Sequence, residues 1–260
     1  MVNSKLLSKK FLQDGYLKIR PKNQKILFEI QKIVSSKISK KKLNKKNIIT
    51  ILNNFHKVQD SSNLNESRLM IYNYINSKPA FSELYYDAVK EYLDILVGNE
   101  LVMQNKINLS IQLPHDKSSI LPMHSDTWSG DSPFEIVVWI PLVNCFKTKS
   151  MFILSPKDSE HFYNNYKQNS KKHDSKSLFN LYKNKFKWID IKFGEILIFN
   201  QCLPHGNVEN ITSETRWSLN CRFKSLFSPY GTKKIGEFFK PINIKPASVI
   251  GFGYKDPLSE

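Results

Sequence analysis

The stretch HSDTWSGDSPFEIVVWIPL, residues 124–142, carries most of the information about the fold, because it joins a candidate metal-binding motif to a candidate buried strand. Residues 134–142 are rich in β-branched and aromatic side chains, which is typical of strands. His124 and Asp126 stand two residues apart, so on an extended backbone their side chains emerge on one face. The stretch therefore predicts a metal site beside a buried strand.

Short segments of β type continue from this stretch in both directions. Upstream, Ile107, Leu109 and Ile111 alternate with polar neighbours, which is the period of a half-buried strand. Downstream, strands are predicted over residues 151–154, 187–192, 196–199 and 217–224. The polar residues 157–185 are expected to form a surface insertion, or a helix followed by a loop. The many short strands indicate a mainly β barrel or sandwich.

The remainder of the chain is predicted to surround this β core. Residues 1–105 are mostly helical in pattern, since apolar residues recur at a spacing near 3.6, with separate helices expected over residues 47–56 and 81–97. Residues 228–260 show little periodicity and are expected to form an extended tail. We expect one domain over residues 1–260, with the β core over residues 106–227.

Composition limits the class of protein and its partners. The hydrophobic fraction of 40% is enough for a buried core, which excludes general disorder. The 39 Lys and Arg outnumber the 23 Asp and Glu, for a net charge of +16 that can steer small anions. Because the lysines are scattered and outnumber the arginines, a nucleic-acid partner is not expected.

Cysteine usage and hydropathy indicate a cytoplasmic location. Cys145, Cys202 and Cys221 form no CxxC pair, and an odd count suits a reducing compartment. The N-terminus lacks the apolar segment of a signal peptide. No stretch approaches the ~18 apolar residues of a membrane span, so membrane insertion is not expected.

A third metal ligand is required, and His205, just after the predicted strand 196–199, is the best candidate. Two histidines and one carboxylate form the facial triad of non-haem iron oxygenases, which leaves three coordination positions open. A catalytic zinc ion is the alternative, since it can take the same ligand types.

Arg216 and Ser218 lie where the next strand returns beside His205, and on a strand they face the same way. The planar guanidinium of Arg216 matches a carboxylate, so this pair suits the distal end of a 2-oxo acid. Such an anchor favours an oxygenase over zinc hydrolysis. Arg68 and Arg222 are alternative anchors. Arg222 is also a candidate contact for an anionic substrate.

The ordered set His-x-Asp, His and Arg-x-Ser resembles the 2-oxoglutarate/iron(II) dioxygenase superfamily. FLQDGYL (residues 11–17), GEILIF (194–199) and LPHG (203–206) are similar to segments of its phytanoyl-CoA-dioxygenase-like branch. Residues 124–142 and RWSLNCRFKSLFSPY (216–230) resemble oxygenases encoded in sporadic bacterial carbohydrate clusters.

The resemblance implies a double-stranded β-helix, or jelly-roll barrel, with N-terminal helices. It implies that His124, Asp126 and His205 bind iron(II), and that Arg216 and Ser218 bind 2-oxoglutarate. Gln112, on the strand before the His-x-Asp motif, is expected to line the same pocket. Dioxygen is the second co-substrate, and the carboxylate of Asp126 favours hydroxylation over halogenation.

The substrate implied by the resemblance is a carbohydrate-linked small molecule, such as a sugar nucleotide, that can carry phosphate. Trp128, directly after the metal motif, is a candidate wall of the substrate pocket, with a core aromatic residue as the alternative. An acyl thioester or an amino-acid-derived metabolite is an alternative substrate. A barrel that binds polyanions without catalysis is an alternative function. Oligomeric state is left open.

Overall fold

The computed structural model describes residues 3–39, 42–166 and 174–257. The helices are Ser4–Asp14 (α1), Gln24–Ser35 (α2), Lys45–Asn53 (α3), Leu64–Asn76 (α4), Pro79–Asp87 (α5), Lys90–Leu96 (α6), Pro156–Asn164 (α7), Ser175–Tyr182 (α8) and Pro246–Gly253 (α9). The strands are Tyr16–Ile19 (β1), Leu101–Gln104 (β2), Asn108–Gln112 (β3), Ile136–Pro141 (β4), Phe152–Ile153 (β5), Lys187–Trp188 (β6), Ile196–Asn200 (β7), His205–Gly206 (β8), Arg216–Ser225 (β9) and Phe239–Asn243 (β10).

Two antiparallel sheets form the centre of the described structure. The larger sheet runs in the order β1-β7-β4-β9-β2-β10, and β3 pairs with the first half of β9 while β2 pairs with its end. The smaller sheet runs in the order β6-β5-β8. Residues of both sheets line one cavity. The predicted strands of the core are all present, although the strand predicted over residues 187–192 is limited to Lys187–Trp188, and the mainly β jelly roll is confirmed.

Strand β9 divides the molecule into a helical side and a cavity side, because its side chains alternate between two faces. On the helical side, the indole Nε1 of Trp217 donates to the carbonyl oxygen of Leu52 at 3.0 Å. The Phe223 ring stacks near Tyr85 on the same side, with ring centroids 6.4 Å apart. The opposite face of β9 therefore turns towards the space between the sheets.

The N-terminal helices cover the larger sheet with the apolar stripes that the sequence predicts. Leu27, Ile30 and Val34 of α2 are buried, and so are Ile48 and Leu52 of α3. Together with the sheet residues they form one apolar cluster. Burial of this stripe, rather than helix propensity alone, is what stabilises such short helices.

Two expectations for the first 105 residues are wrong in detail. The single helix expected over residues 81–97 is two helices, since Val89 leaves helical geometry with φ −130° and ψ −5°. Ala88 and Val89 are buried at this break. Strands β1 and β2 also lie inside the segment expected to be mostly helical, before the predicted start of the β core at residue 106. Gly15 ends α1 with φ 74°, and the chain then pairs directly with β7.

The tail expected to be extended over residues 228–260 contains a strand and a helix where it is described. Strand β10 pairs with β2 and buries Phe239, and α9 starts at Pro246, which is favoured at a first helical position. Neither element has a recognisable sequence pattern. Strand β10 is short and contains Pro241, and α9 is apolar on all sides, so it lacks the alternation of apolar and polar residues that predicts a helix. Within the described residues no helix is long and apolar enough to cross a membrane.

The polar insertion expected over residues 157–185 lies partly outside the described residues, since residues 167–173 are not described. The described part forms α7 and α8. Phe162 and Tyr182 of these helices pack with Phe152 of the smaller sheet in a second apolar cluster. The insertion therefore contributes its own buried core on the outer side of that sheet.

Phe223→Ala should destabilise the protein strongly, because Phe223 is completely buried between the sheet and the helices. Removing a buried Phe side chain leaves a cavity and costs roughly 3–5 kcal/mol. Phe227→Ala is the matched control, since Phe227 is 67% exposed. Urea unfolding followed by circular dichroism measures both variants. Equal free energies of unfolding for the two variants would contradict the assignment of Phe223 to the core.

Candidate metal centre

Two backbone hydrogen bonds place the histidines of the candidate site side by side. The N–H of His124 donates to the carbonyl oxygen of His205 at 2.9 Å, and the N–H of His205 donates back at 2.8 Å. The imidazole centroids are 4.4 Å apart. Each ring also bonds through Nδ1 at 2.8 Å to a carbonyl oxygen two residues earlier, that of Pro122 or Leu203. Both Nε2 atoms therefore remain for a metal.

Asp126 completes the group from the start of a short 3-10 helix, Asp126–Ser129. Its Oδ1 lies 3.4 Å from His124 Nε2 and 3.9 Å from His205 Nε2. The backbone N–H of Asp126 donates to the carbonyl oxygen of Gln201 at 3.2 Å. The sequence placed His124 and Asp126 on one continuous strand, which is wrong in detail. The isolated bridge to His205 involves His124 alone, Ser125 is still extended with φ −121° and ψ 138°, and the 3-10 helix starts at Asp126 itself.

The donor set fits a divalent transition metal. One ligand atom from each of His124, Asp126 and His205 can be chosen so that all lie within 4.8 Å of one another. Two imidazoles and one carboxylate suit iron(II) or zinc. Among the described residues, His124, Asp126 and His205 form the one group of at least three His, Cys, Asp or Glu side chains that could hold a metal ion together.

The protonation states of the site also suit metal binding. Burial, and next the charge of His124, lower the pKa of His205 to about 4, so its Nε2 is available at neutral pH. Burial alone would raise the pKa of Asp126. The proximity of His124 and the charges of His205 and Arg222 outweigh burial, so the pKa of Asp126 lies well below its usual range.

A cavity of about 210 Å³ opens beside the triad, between the two sheets. It is lined by Asn108, Ser110, Ser119, Leu121, His124, Asp126, Val137, Trp139, Met151, Phe199, His205, Gly206, Asn207, Arg216, Asn220 and Arg222. The fold therefore brings the predicted metal ligands and the predicted anion anchor Arg216 into one space.

Arg216 is buried in this cavity and has spare hydrogen-bonding capacity. Its Nη2 donates to Ser110 Oγ at 3.0 Å, and its Nη1 lies 3.5 Å from the carbonyl oxygen of Ser150. Its Nε has no partner among the described residues. Burial lowers the pKa of Arg216 to about 10, so the guanidinium stays charged at neutral pH. A buried cation with an unpaired N–H fits an anionic ligand.

Ser218 and Gln112 lie next to Arg216 but do not line the cavity. Gln112 stands opposite Arg216 in the β3–β9 pairing, and Ser218 stands opposite Ser110. Gln112 Nε2 donates to the carbonyl oxygen of Val208 at 2.7 Å. Within the described part of the chain, Ser218 Oγ and Gln112 Oε1 are buried without a partner. Their roles towards 2-oxoglutarate stay predictions.

Arg222 lines the cavity but is held by carboxylates. Its Nη2 lies 2.8 Å from Asp126 Oδ2, and its Nε lies 3.3 Å from Asp131 Oδ1. The predicted contact between Arg222 and an anionic substrate stays a prediction, and the observed contacts are with the metal-binding motif. Arg68, the other alternative anchor, donates through Nη2 to Ser119 Oγ at 2.8 Å at the cavity wall.

The side chain of Trp128 points away from the cavity. It packs against Phe162, Tyr163 and Tyr166, with ring centroids 5.9, 6.5 and 5.4 Å away. The Trp128 side chain remains 38% exposed, so it belongs to an aromatic cluster at the surface beside the metal loop. Its predicted role in the substrate pocket stays a prediction.

Sequence reasoning missed three polar residues that strands β3 and β9 contribute to the cavity: Asn108, Ser110 and Asn220. The Asn108 Nδ2 donates to Asn220 Oδ1 at 3.0 Å across the β3–β9 pair. Strand parity could have found them. Asn220 is an even number of residues from Arg216, and Asn108 and Ser110 have the same parity as Gln112. What the sequence could not show is that this face of both strands encloses a cavity.

The structure of this chain is similar to solved structures of other proteins, whereas comparison of its sequence gives no match. No protein-family model matches the sequence, and no curated protein matches it. The solved structure of a non-haem monooxygenase, the ThoJ nickel complex, aligns with TM-score 0.60 and 12% identity, over 92% of this chain and 84% of that chain.

Two further solved structures are similar. EctD from S. alaskensis with bound iron aligns with TM-score 0.57 and 14% identity, over 88% of this chain and 79% of that chain. HygX from Streptomyces hygroscopicus with nickel and 2-oxoglutarate aligns with TM-score 0.52 and 10% identity, over 90% of each chain. The chain therefore shares its jelly-roll fold with these three solved structures, and its triad of His124, Asp126 and His205 lies at the cavity.

Proposed function

We propose that the protein is an iron(II)- and 2-oxoglutarate-dependent oxygenase that hydroxylates a small molecule. One observation carries the proposal. The ligand atoms of His124, Asp126 and His205 converge on one point in a cavity that also contains the buried cation Arg216. The shared fold with ThoJ, EctD and HygX supports it.

Each residue has a distinct task in this proposal. His124, Asp126 and His205 hold the metal through two imidazole Nε2 atoms and a carboxylate oxygen. Arg216 holds the distal carboxylate of 2-oxoglutarate, with hydroxyl groups of Ser110 and Ser218 nearby. Iron(II) with 2-oxoglutarate bound would supply the activation of dioxygen that oxidises a substrate C–H bond, with succinate and carbon dioxide as co-products.

The anion anchor favours this chemistry over zinc-dependent hydrolysis. A hydrolytic zinc site needs an open position for water and has no need for a buried guanidinium in the same cavity. Arg216 is buried and, among the described residues, forms no ion pair with a carboxylate, so an incoming carboxylate would satisfy it. A buried arginine that lacks an anionic partner, in the same cavity as the metal ligands, therefore supports an oxygenase over a zinc hydrolase.

The proposed substrate is a carbohydrate-linked small molecule that carries phosphate, such as a sugar nucleotide. The net charge of +16 supports an anionic substrate. A second cavity of about 460 Å³ lies on the other side of the segment before His124. Asn207 lines both cavities, and Lys117 and Lys176 stand at the second one. Cations at the second cavity, outside the cavity that holds the triad, would suit phosphate groups on the part of the substrate that is not oxidised.

A cytoplasmic location belongs to the same proposal, since the three cysteines are unpaired and a sugar nucleotide is a cytoplasmic metabolite. The same chemistry on an acyl thioester or an amino-acid-derived metabolite is the second candidate. The apolar lining of the second cavity, with Ile120, Phe152 and Phe179, favours it over a barrel without turnover.

Anaerobic addition of iron(II) and then 2-oxoglutarate to metal-free protein tests the proposed cofactor chemistry. We expect a weak visible charge-transfer band, because a 2-oxo acid that chelates iron through two oxygens absorbs there. A protein that retains zinc, and gives no band with iron, would support the hydrolytic alternative instead.

Asp126→Ala should abolish iron retention and the charge-transfer band, since it removes the anionic member of the triad. His161→Gln is the control, because His161 is exposed on α7 and distant in sequence from the triad. Metal content after desalting and the visible spectrum give the readout. Full iron retention by the Asp126 variant would contradict the assignment of Asp126 as a metal ligand.

Arg216→Gln should weaken 2-oxoglutarate binding about ten- to hundredfold and leave iron binding intact, since a charge-assisted pair contributes about 1.5–3 kcal/mol. Arg20→Gln is the matched control at an exposed arginine. Titration of 2-oxoglutarate against the charge-transfer band measures the affinity. Loss of iron itself in the Arg216 variant would mean that Arg216 has a structural role instead.

Screening candidate substrates for stimulated succinate release distinguishes the substrate classes. We expect sugar nucleotides to stimulate release more than acyl thioesters or free amino acids. Lys176→Ala should then raise KM for the sugar nucleotide with little change in kcat, because Lys176 lines the second cavity and not the cavity beside the triad. Stimulation of succinate release by acyl thioesters alone would overturn the proposed carbohydrate substrate, while the proposed oxygenase activity would stand.

A further inference from the structure

We propose that Arg222 is a positioning residue that restricts Asp126 to a single metal-binding oxygen, and that the C-terminal segment holds Arg222 through Asp131 and Lys233. The inference rests on the proposed metal site and adds the group that sets its coordination geometry. Arg222 lies on β9, six residues beyond Arg216 and on the same face of the strand.

The two carboxylate oxygens of Asp126 have different neighbours. Oδ1 faces both imidazoles, at 3.4 Å from His124 Nε2 and 3.9 Å from His205 Nε2. Oδ2 lies 2.8 Å from the Nη2 of Arg222. A metal ion held by the two Nε2 atoms would therefore meet Oδ1, while Oδ2 is already occupied by a cation. Asp126 is limited to one coordinating oxygen in this arrangement.

Arg222 is itself fixed from the side opposite Asp126. Its Nε donates to Gln201 Oε1 at 3.1 Å, and its Nη1 lies 3.3 Å from Gln104 Oε1. The backbone carbonyl of Gln201 accepts the N–H of Asp126 at 3.2 Å. Gln201 thus holds both the main chain of the metal ligand and the arginine that contacts its side chain. A planar guanidinium can satisfy these directions at once, and a lysine cannot.

A chain of ion pairs extends from Arg222 to the C-terminal segment. Asp131 Oδ1 lies 3.3 Å from Arg222 Nε, and Asp131 Oδ2 lies 2.5 Å from Lys233 Nζ. Only 1% of the Asp131 side chain is exposed, and its Oδ1 accepts no hydrogen bond among the described residues. The nearby charges of Arg222 and Lys233 therefore offset the charge of this buried carboxylate. Lys233 therefore balances Asp131 and leaves the charge of Arg222 to be shared with Asp126.

The same C-terminal segment packs on the metal loop through its backbone. The N–H of Thr232 donates to the carbonyl oxygen of Gly130, and Ser132 Oγ donates to the carbonyl oxygen of Pro229 at 2.7 Å. Gly130 has φ 86°, and a Cβ there would lie 2.5 Å from Thr232 Oγ1. The close approach requires glycine, so the loop after Asp126 and the segment around Thr232 are built as one unit.

The number of oxygens that Asp126 offers determines how many coordination positions would stay open on the metal. A facial triad with one carboxylate oxygen leaves three positions for a bidentate co-substrate and a further ligand. If Asp126 turned to chelate through both oxygens, it would take one of those positions. The contact with Arg222 opposes this rotation, because it would break a nearly buried ion pair.

Cobalt(II) substitution tests the inference without turnover, because the intensity of cobalt visible bands reports coordination number. Wild-type protein, Arg222→Gln and Arg222→Lys are titrated with cobalt(II) in the absence of 2-oxoglutarate, with Arg20→Gln as the matched control. We expect Arg222→Gln to bind cobalt roughly ten- to hundredfold more weakly and with altered bands. Arg222→Lys keeps the charge and should show altered bands with a smaller loss of affinity. The Arg20 variant should match wild type.

A purely structural role for Arg222 predicts a different result: a lower melting temperature with unchanged cobalt bands in every variant that folds. That outcome overturns the inference. If Arg222→Gln does not fold, Arg222→Lys decides, and wild-type bands with affinity within about twofold of wild type would refute it. If wild-type protein binds no cobalt, the proposed metal site fails together with this inference. Cobalt binding that depends on Asp126 but not on Arg222 removes this inference alone.

Discussion

The alternation of side chains along β9 is the constraint on which the rest of the structure depends. One face of this strand carries Trp217 and Phe223, which pack under the N-terminal helices. The other face carries Arg216 and Arg222, which point into the space between the sheets. Because successive side chains of a strand cannot share a face, building the helical layer on one side also places a row of polar groups on the other. The cavity is the result.

Two arginines on that polar face, Arg216 and Arg222, have opposite surroundings, and the difference explains their separate roles. Arg222 meets the carboxylates of Asp126 and Asp131, so its charge is compensated within the protein. Arg216 meets a serine hydroxyl and a backbone carbonyl, and its Nε has no partner in the described structure. A buried cation without a counter-ion costs free energy unless a ligand supplies one. Arg216 is therefore suited to bind the carboxylate of a ligand, whereas Arg222 is paired with carboxylates of the protein itself.

Most of the site, and less of the periphery, could be predicted from the sequence. His124, Asp126 and His205 were recognisable because few residue types bind metals and their order is restrictive. Asn108, Ser110 and Asn220 were not, since asparagine and serine on a strand are usually solvent-exposed. Strand β1, the break at Val89 and the elements after residue 228 were missed because they depend on pairing with distant strands and burial against distant helices. Those contacts leave no local periodicity.

By itself, the sequence determined the ligand types, the strand parity that joins Arg216 to the cavity face, and the succession of helices and short strands. These are local properties, set by side-chain chemistry and by the two-residue repeat of a strand. Only the tertiary structure decided which oxygen of Asp126 faces the histidines. It also decided that Arg222 is paired, and that the segment around Lys233 returns to the metal loop. The physical reason is that an ion pair depends on distances of a few ångströms between residues far apart in the chain, and those distances exist only once the sheets have closed around the cavity.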